Sequence, residues 1–304
     1  KLFMGSSTGN MLVDDGATLE TLFRESPCLI AAHCESEEII RRNTQYYKEL
    51  VEKHEAVDDA NLHPLVRSEE ACYRSTEKAV ELAEKTGARL HVMHISTRAE
   101  LLLFDPSIPL ADKKITSETC PHYLLFSDGD YDSLGFAIKC NPAIKSKEDR
   151  RALWRGVMDG YIDTIGSDHA PHLLAEKFTG SYFTAKSGFP SVQHNLPLLT
   201  DNFIRNNLTL GELVRLMCHN PAILYRIDRR GFIREGYHAD LVLVERDVNK
   251  LITNEGTLYK CGWTPYDGTA VHTQVTHTFV NGNLVYENGI LHEGSRGERL
   301  RFRA

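Results

Sequence analysis

Three short apolar runs in this chain each lead into a residue type that binds metal ions. These pairs of run and residue are 28–32 with His33, 90–93 with His94, and 162–166 with Asp168. A buried run that ends in one polar residue is typical of a parallel barrel, which presents its chemical groups at the carboxyl ends of the strands. Two imidazoles and a carboxylate suit zinc or a similar divalent ion. Lys1, directly before the apolar residues 2–4, is a fourth candidate.

Strand-like and helix-like segments alternate along the first part of the chain. Apolar spacing predicts helices at 19–24, 37–53, 66–85, 99–104 and 146–158, and strands at 28–32, 90–93, 114–119 and 161–166. Gly87 and Pro106 mark helix ends, and Ser146 marks a helix start. Repeated β-then-α units predict parallel strands with helical crossovers, in a doubly wound sheet or a closed barrel. Polar residues at several strand ends favour the α/β barrel of the TIM type.

The sequence pattern changes from alternating strand-like and helix-like segments to mostly β-rich runs after about Arg229. Residues 239–244, 271–280 and 284–286 are β-rich, and the dipeptides Asn281-Gly282 and Asn288-Gly289 separate such runs. Asn-Gly between two β runs is a strong hairpin signal. We therefore predict a barrel part over residues 1–228 and a smaller β-rich part over residues 229–304.

Composition limits the classes of partner. The chain has 304 residues, of which 41% are hydrophobic, and a formal net charge of −7, which argues against a nucleic acid or an anionic membrane as partner. No apolar stretch approaches the roughly 20 residues that span a bilayer. Seven scattered cysteines without a C-x-x-C pair predict reduced thiols and a cytoplasmic enzyme. Because the chain starts with Lys inside a strand-like run, we expect the natural N-terminus to be missing.

Each candidate ligand also has a simpler interpretation. A single histidine at a strand end is more often a hydrogen-bonded core residue, and Asp168 lies in a turn-like Asp-His-Ala-Pro sequence. Lys1 is either a surface cation or a ligand, and a protonated lysine amine binds zinc poorly. Carbamylation by CO₂ would give Lys1 two anionic oxygens that can bridge two metals. Three ligand-type residues in corresponding positions, His33, His94 and Asp168, favour the metal interpretation.

The first residues, Lys1-Leu2-Phe3-Met4-Gly5-Ser6, resemble the carbamylated-lysine strand of the cyclic amidohydrolases, which include hydantoinases, allantoinases and dihydroorotases. In that family the lysine bridges two metals, histidines end the next two strands, and an aspartate follows the last strand. Lys1, His33, His94 and Asp168 match these positions in order. The resemblance covers essentially the whole chain, including the C-terminal pattern Gly231, Ile233, Gly236, Ala239 and Asp240.

The chain departs from the family in one respect. The family's H-x-H pair, which belongs to the first barrel strand, is absent. The resemblance implies that the chain contains barrel strands four to eight and the C-terminal part of a composite β-sandwich domain. It also implies that Lys1, His33, His94 and Asp168 are only part of the metal site.

The substrate pocket decides between members of the family. This chain is similar to the dihydroorotases in Asp168-His169-Ala170-Pro171-His172, in Glu176-Lys177 and in Lys139-Cys140-Asn141-Pro142. Hydantoinases usually have tyrosine where this chain has Ser6, and they lack a match to His172. Dihydroorotate carries a ring carboxylate, which Asn141 and His172 would bind by donating hydrogen bonds. The simpler interpretations are a turn residue for Asn141 and a loop residue for His172.

The resemblance implies a zinc-dependent dihydroorotase, which interconverts N-carbamoyl-L-aspartate and L-dihydroorotate in pyrimidine biosynthesis. Two zinc-like ions would hold a hydroxide that attacks the ring amide, and Asp168 would act as ligand and general base. The expected partner is this small substrate, with no nucleic acid and no membrane, in a possible homo-oligomer. An allantoinase or hydantoinase, or a metal-free relative that serves as a scaffold, remains the alternative. Residues His91, His122, His169 and His194 are interpreted as structural or supporting.

Overall fold

The protein divides into two compact units. The computed structural model describes residues 1–5, 11–294 and 297–303. The first unit comprises Lys1–Ser191 and Tyr259–Pro265, and the second comprises Val192–Leu258 and Tyr266–Ala304. The boundary predicted between residues 228 and 229 stays a prediction. In the described ranges, no helix is long and apolar enough to cross a membrane.

A parallel sheet of five strands forms the centre of the first unit. The strands follow one another in sheet order and are β1 Leu2–Phe3, β2 Ile30–His33, β3 Leu90–Val92, β4 Ile115–Thr119 and β5 Thr164–Ile165. Ala32 is in register with Leu2 on one side and Val92 on the other. Because all five strands are parallel, their carboxyl ends lie along one edge of the sheet.

Helices connect the strands, as the alternating sequence pattern predicts. They are α1 Gly16–Glu25, α2 Glu37–Glu52, α3 Leu62–Val66, α4 Glu69–Thr86, α5 Arg98–Leu101, α6 Pro121–Leu125, α7 Tyr131–Leu134, α8 Lys147–Asp159 and α9 Leu174–Lys177. Short 3₁₀ turns cover Asp128–Asp130 and Gly135–Ile138. The β-then-α order is therefore confirmed for this unit.

Local capping explains where the longest helices begin and end. The Ser68 hydroxyl accepts a hydrogen bond from the Ala71 backbone N–H, so α4 begins at Glu69 rather than at the predicted residue 66. The same helix ends at Gly87, whose φ of +75° is in the left-handed region that favours glycine. Ser146 and Asp149 form a reciprocal capping box that starts α8, as the sequence predicts.

The central strands supply the core. Leu90 and Val92 of β3 and Ala32 of β2 are completely buried, as is Ile95 just beyond β3. A strand is expected to be buried on both faces when helices cover both sides of a parallel sheet. This packing fixes the strand ends, and with them the residues that follow each strand.

In its described residues, the second unit combines three α-helices and a π-helical segment, Arg215–His219, with an antiparallel sheet. The helices are α10 Asn195–Arg205, α11 Leu210–Val214 and α12 Asn220–Leu224, and the strands are β6 Leu241–Leu251, β7 Ala270–Val280, β8 Asn283–Glu287 and β9 Ile290–Leu291. Asn281 and Gly282 both have positive φ in the turn between β7 and β8. The hairpin predicted at Asn281-Gly282 is thus confirmed.

Candidate active site

Three of the predicted ligands lie at the carboxyl edge of the parallel sheet. His33 is the last residue of β2, His94 follows β3 by two residues, and Asp168 follows β5 by three residues. Lys1 directly precedes β1, whose Phe3 is in register with His33. His33, His94 and Asp168 thus lie at or after the carboxyl ends of their strands, whereas Lys1 precedes its strand.

His33 and His94 contact each other directly. The His33 Nδ1 atom lies 2.9 Å from His94 Nε2, and the two rings meet edge to face. Both side chains are buried, and burial, with the nearby His33 and Lys1, holds the pKa of His94 well below its ordinary value. The other His94 nitrogen, Nδ1, has no hydrogen-bond partner among the described residues. Imidazole nitrogens are of the ligand type that zinc prefers, and here two of them lie side by side.

Glu35 and Arg67 orient His33, and the sequence reasoning missed both. Glu35 Oε2 lies 2.8 Å from His33 Nε2 and accepts a hydrogen bond from Arg67 at 2.6 Å. Burial alone would raise the pKa of Glu35, but the Arg67 charge and the His33 hydrogen bond outweigh it and lower the pKa to about 2. A carboxylate on the far nitrogen of a histidine fixes its tautomer and ring orientation. The signal in the sequence was the His33-x-Glu35 spacing, which puts both side chains on one face of an extended segment.

Asp168 and His94 share an unusual backbone conformation. Their φ angles are +41° and +42°, in the left-handed region that non-glycine residues rarely adopt. Such a conformation costs on the order of 1 kcal/mol and is frequent at functional sites. Burial raises the pKa of Asp168 above its ordinary value, although His33 and Lys1 nearby act in the opposite direction. These two residues are thus held in place by the surrounding fold rather than by their own preference.

The strand that carries Lys1 is locked against the strand that carries His33. Gly5 lies so close to Glu35 that a Cβ atom there would be 1.8 Å from the Glu35 carbonyl oxygen, so only glycine fits. Lys1 itself is exposed, and its amine lies 4.8 Å from the centre of the Phe3 ring. Ser6, the position at which hydantoinases usually have tyrosine, lies outside the described residues.

His172 lines a cleft of about 400 Å³ beside the Asp168 loop. Its Nδ1 atom is 3.7 Å from the Glu176 carboxylate, and its backbone carbonyl accepts a hydrogen bond of 2.7 Å from the Trp263 indole. Tyr259 and Lys260 line the same cleft, which the sequence reasoning did not anticipate because they are distant along the chain. The cleft thus contains the His172 imidazole and the Lys260 amine together with the Glu176 carboxylate.

Asn141 lies elsewhere on this side of the unit. It is half-buried, precedes a cis peptide bond to Pro142, and is not among the described residues that line the cleft. Its chain neighbour Cys140 offers its carbonyl oxygen to His63 Nε2 at 2.6 Å. The Cys140 contact ties the residue before Asn141 to His63.

The remaining histidines of this unit differ in their surroundings. His91 is buried in β3 and lies 2.9 Å from the Thr116 hydroxyl. His122 is completely buried, and burial lowers its pKa to about 3. His169 accepts a hydrogen bond from the Ser191 backbone N–H at 3.0 Å. The supporting role predicted for them stays a prediction.

The donor groups at this edge meet the needs of a divalent metal only in part. Within residues 1–5, 11–294 and 297–303, no group of three or more His, Cys, Asp and Glu side chains is arranged to hold a metal by itself. The His33 and His94 pair, with the unpartnered His94 Nδ1 and the nearby Asp168, still provides nitrogen and oxygen donors of the type that zinc uses. The described residues therefore fit part of a metal site.

Comparison with known proteins places the fold. The model of the amidohydrolase family matches residues 22–285. The chain belongs to the amidohydrolase family. The match includes the described β2 to β5 strands and most of the β-rich segment of this amidohydrolase.

Curated relatives of this amidohydrolase include more than one activity. A dihydroorotase of Pyrococcus horikoshii is 30% identical over 301 residues, and an allantoinase of Deinococcus radiodurans is 32% identical over 278 residues. These alignments cover 99% and 91% of this chain but 63% and 60% of the two relatives. The chain thus spans less than two thirds of the length of either relative.

Solved hydantoinases have the same fold as this amidohydrolase. An L-hydantoinase of Arthrobacter aurescens superposes with a TM-score of 0.85 at 25% identity, covering 96% of this chain and 65% of that one. A D-hydantoinase of Thermus sp. superposes with a TM-score of 0.84 at 22% identity, covering 96% and 64%. The predicted fold class, a TIM-type α/β barrel with a smaller β segment, is confirmed.

Proposed function

We propose that this amidohydrolase is a dihydroorotase, which interconverts L-dihydroorotate and N-carbamoyl-L-aspartate. The observation that carries the proposal is the meeting of His33 and His94 at the strand edge that also presents Asp168. The residues Asn141 and His172, which resemble the carboxylate-binding pair of dihydroorotases, favour this substrate. Curated dihydroorotases at about 30% identity support the choice.

His33 and His94 would hold one divalent ion, zinc or similar, and Asp168 a second. Lys1, as the carbamate, would bridge the two. When bound, a pair of divalent ions lowers the pKa of water and polarises an amide carbonyl.

The residues of the chain then supply orientation and proton transfer. Glu35 holds the far nitrogen of His33, so that Nδ1 is directed toward His94. Asp168 takes a proton from the attacking water and delivers it to the ring nitrogen as the amide C–N bond breaks. In the direction of ring closure, the same carboxylate receives the proton from the ureido nitrogen.

Two residues would make the site selective for a substrate that carries a carboxylate. Dihydroorotate is a six-membered cyclic ureide with a carboxylate on the ring, and 5,6-dihydrouracil is the same ring without it. Asn141 would donate through its amide, and His172 would donate from a cleft that Lys260 also lines. Charge-assisted hydrogen bonds of this kind are stronger than those to neutral groups.

Removing either donor should change substrate selectivity. We expect Asn141→Ala or His172→Ala to lose about 1.5–3 kcal/mol of binding to the carboxylate, or roughly ten- to a hundredfold in kcat/KM for dihydroorotate. Dihydrouracil should lose less than about threefold. Steady-state kinetics of the whole protein on both substrates measure the ratio, with the exposed Lys186→Ala variant as control. Equal losses on the two substrates would mean that these residues serve the chemistry or the fold.

The runner-up is an allantoinase or a hydantoinase. It is favoured by the allantoinase relatives, which match this chain about as well as the dihydroorotases do. A metal-free scaffold protein is the alternative from a different class. Against it stands the retention of a ligand-type residue at each of Lys1, His33, His94 and Asp168.

A further inference from the structure

Lys177 is a charged residue that is completely buried in the first unit. Its amine donates hydrogen bonds to the backbone carbonyl oxygens of Lys139, Lys186 and Gly188, at 2.6, 2.9 and 2.8 Å. An ammonium has three N–H donors, and here each has one carbonyl acceptor. Burying such a group is costly unless its hydrogen bonds are satisfied, so this arrangement ties three separate backbone positions to one atom.

One of these positions, Gly188, touches the loop that carries His172. With φ at +115°, Gly188 lies so close that a Cβ atom there would be 2.6 Å from the Ala170 carbonyl oxygen and 3.4 Å from His172 Cδ2. The neighbouring Phe189 carbonyl accepts a hydrogen bond from the Ala170 backbone N–H at 3.1 Å. The position of Gly188 thus sets the position of residues 170–172.

A second position, Lys139, belongs to the segment that carries Asn141. The Lys139 carbonyl accepts hydrogen bonds from both the Lys177 amine and the Gly188 backbone N–H. The Lys139 amine in turn donates to the carbonyls of Tyr182 and Ala185. Two buried lysines therefore connect the segment before Asn141 to the loop that packs against His172.

Asp168 is held by different contacts. The Ser191 hydroxyl donates to the Ser167 carbonyl at 2.7 Å, and the Ser191 backbone N–H donates to His169 Nδ1. These two bonds fix the residues on either side of Asp168 without Lys177. A change at Lys177 is therefore expected to move the Asn141 and His172 side of the site more than the Asp168 side.

We infer that Lys177 is a positioning residue for substrate binding, which sets the placement of Asn141 relative to His172 through the carbonyls of Lys139 and Gly188. This inference rests on the proposed function for the roles of Asn141 and His172. It concerns binding of the substrate rather than the chemical step.

The test is a pair of variants that disturb these contacts in different ways. Lys177→Met removes the amine at similar side-chain length, and Gly188→Ala keeps the amine but forces Gly188 away from Ala170. In the whole protein, both should raise KM for dihydroorotate about ten- to a hundredfold while kcat stays within about threefold. Lys186→Met is the matched control, because Lys186 is exposed and its carbonyl, the acceptor for Lys177, is kept.

A purely structural role predicts a different result. It would lower the melting temperature and slow turnover with KM unchanged, and that outcome would overturn the inference. If Lys177→Met fails to fold, the Gly188→Ala variant tests the inference by the same comparison of KM with kcat. A crystal structure of Gly188→Ala is a readout independent of activity: we expect Asn141 or His172 to shift by about 1 Å, and unchanged positions of both would refute the inference.

Failure of the proposed function is recognised separately. It would appear as a wild-type protein that does not turn over dihydroorotate. The two variants are then compared on the cyclic amide that the wild type does hydrolyse, and the crystal structure is interpreted as before.

Discussion

Replacing Asp168 by Asn is expected to lower kcat by about 10²- to 10⁴-fold, which is the usual contribution of a positioned general base. Asparagine has nearly the same shape as aspartate but cannot accept the proton. It also tolerates the left-handed backbone, so the φ of +41° at this position can be kept. KM for dihydroorotate should change little, because the proton transfer matters in the transition state.

The matched control for this variant is Asp247→Asn. Asp247 is an exposed aspartate in the second unit that also has a positive φ, of +63°. The same substitution there should leave kcat unchanged. An Asp168→Asn protein with normal metal content and normal kcat would show that Asp168 is not the base.

The second large effect is expected at the two histidines. His33→Ala and His94→Asn should each reduce bound metal to well below the roughly two ions per chain expected for a two-metal hydrolase, and should remove turnover. Asparagine is chosen at residue 94 because the φ of +42° there suits it better than alanine. The metal content after dialysis is measured by mass spectrometry, and the fold is checked by thermal unfolding.

The exposed His292 provides the control for these variants. It lies in the second unit next to Glu287, so His292→Ala should keep both metal and turnover. If His33→Ala and His94→Asn retained full metal and full activity, the two histidines would be core residues and the proposed site would be wrong.

Much of the fold was predictable because its signals are local. Ser146 with Asp149 three residues later marks a helix start, and Gly87 marks a helix end, whatever lies around them. Asn281-Gly282 adopts the two positive φ angles that a tight hairpin requires. The strands that lead to His33 and His94 were recognisable because burial on both faces leaves a continuous apolar run.

Other parts of the site depend on contacts between distant residues. Arg67 reaches Glu35 across 32 positions, and Trp263 reaches His172 across 91. Lysine is usually an exposed residue, so the sequence gives no sign that Lys177 is buried. Only the folded chain brings three backbone carbonyls to its amine. The positive φ of His94 is likewise imposed by the fold, since histidine does not require it.

The most direct test of the proposed function is a comparison of three substrates. The whole protein, loaded with zinc, is assayed side by side with L-dihydroorotate, a hydantoin and allantoin, and the kcat/KM values are compared. We expect the value for dihydroorotate to exceed the other two by at least about tenfold, since only dihydroorotate offers the ring carboxylate to Asn141 and His172. A higher kcat/KM for allantoin or the hydantoin would contradict the assignment as a dihydroorotase.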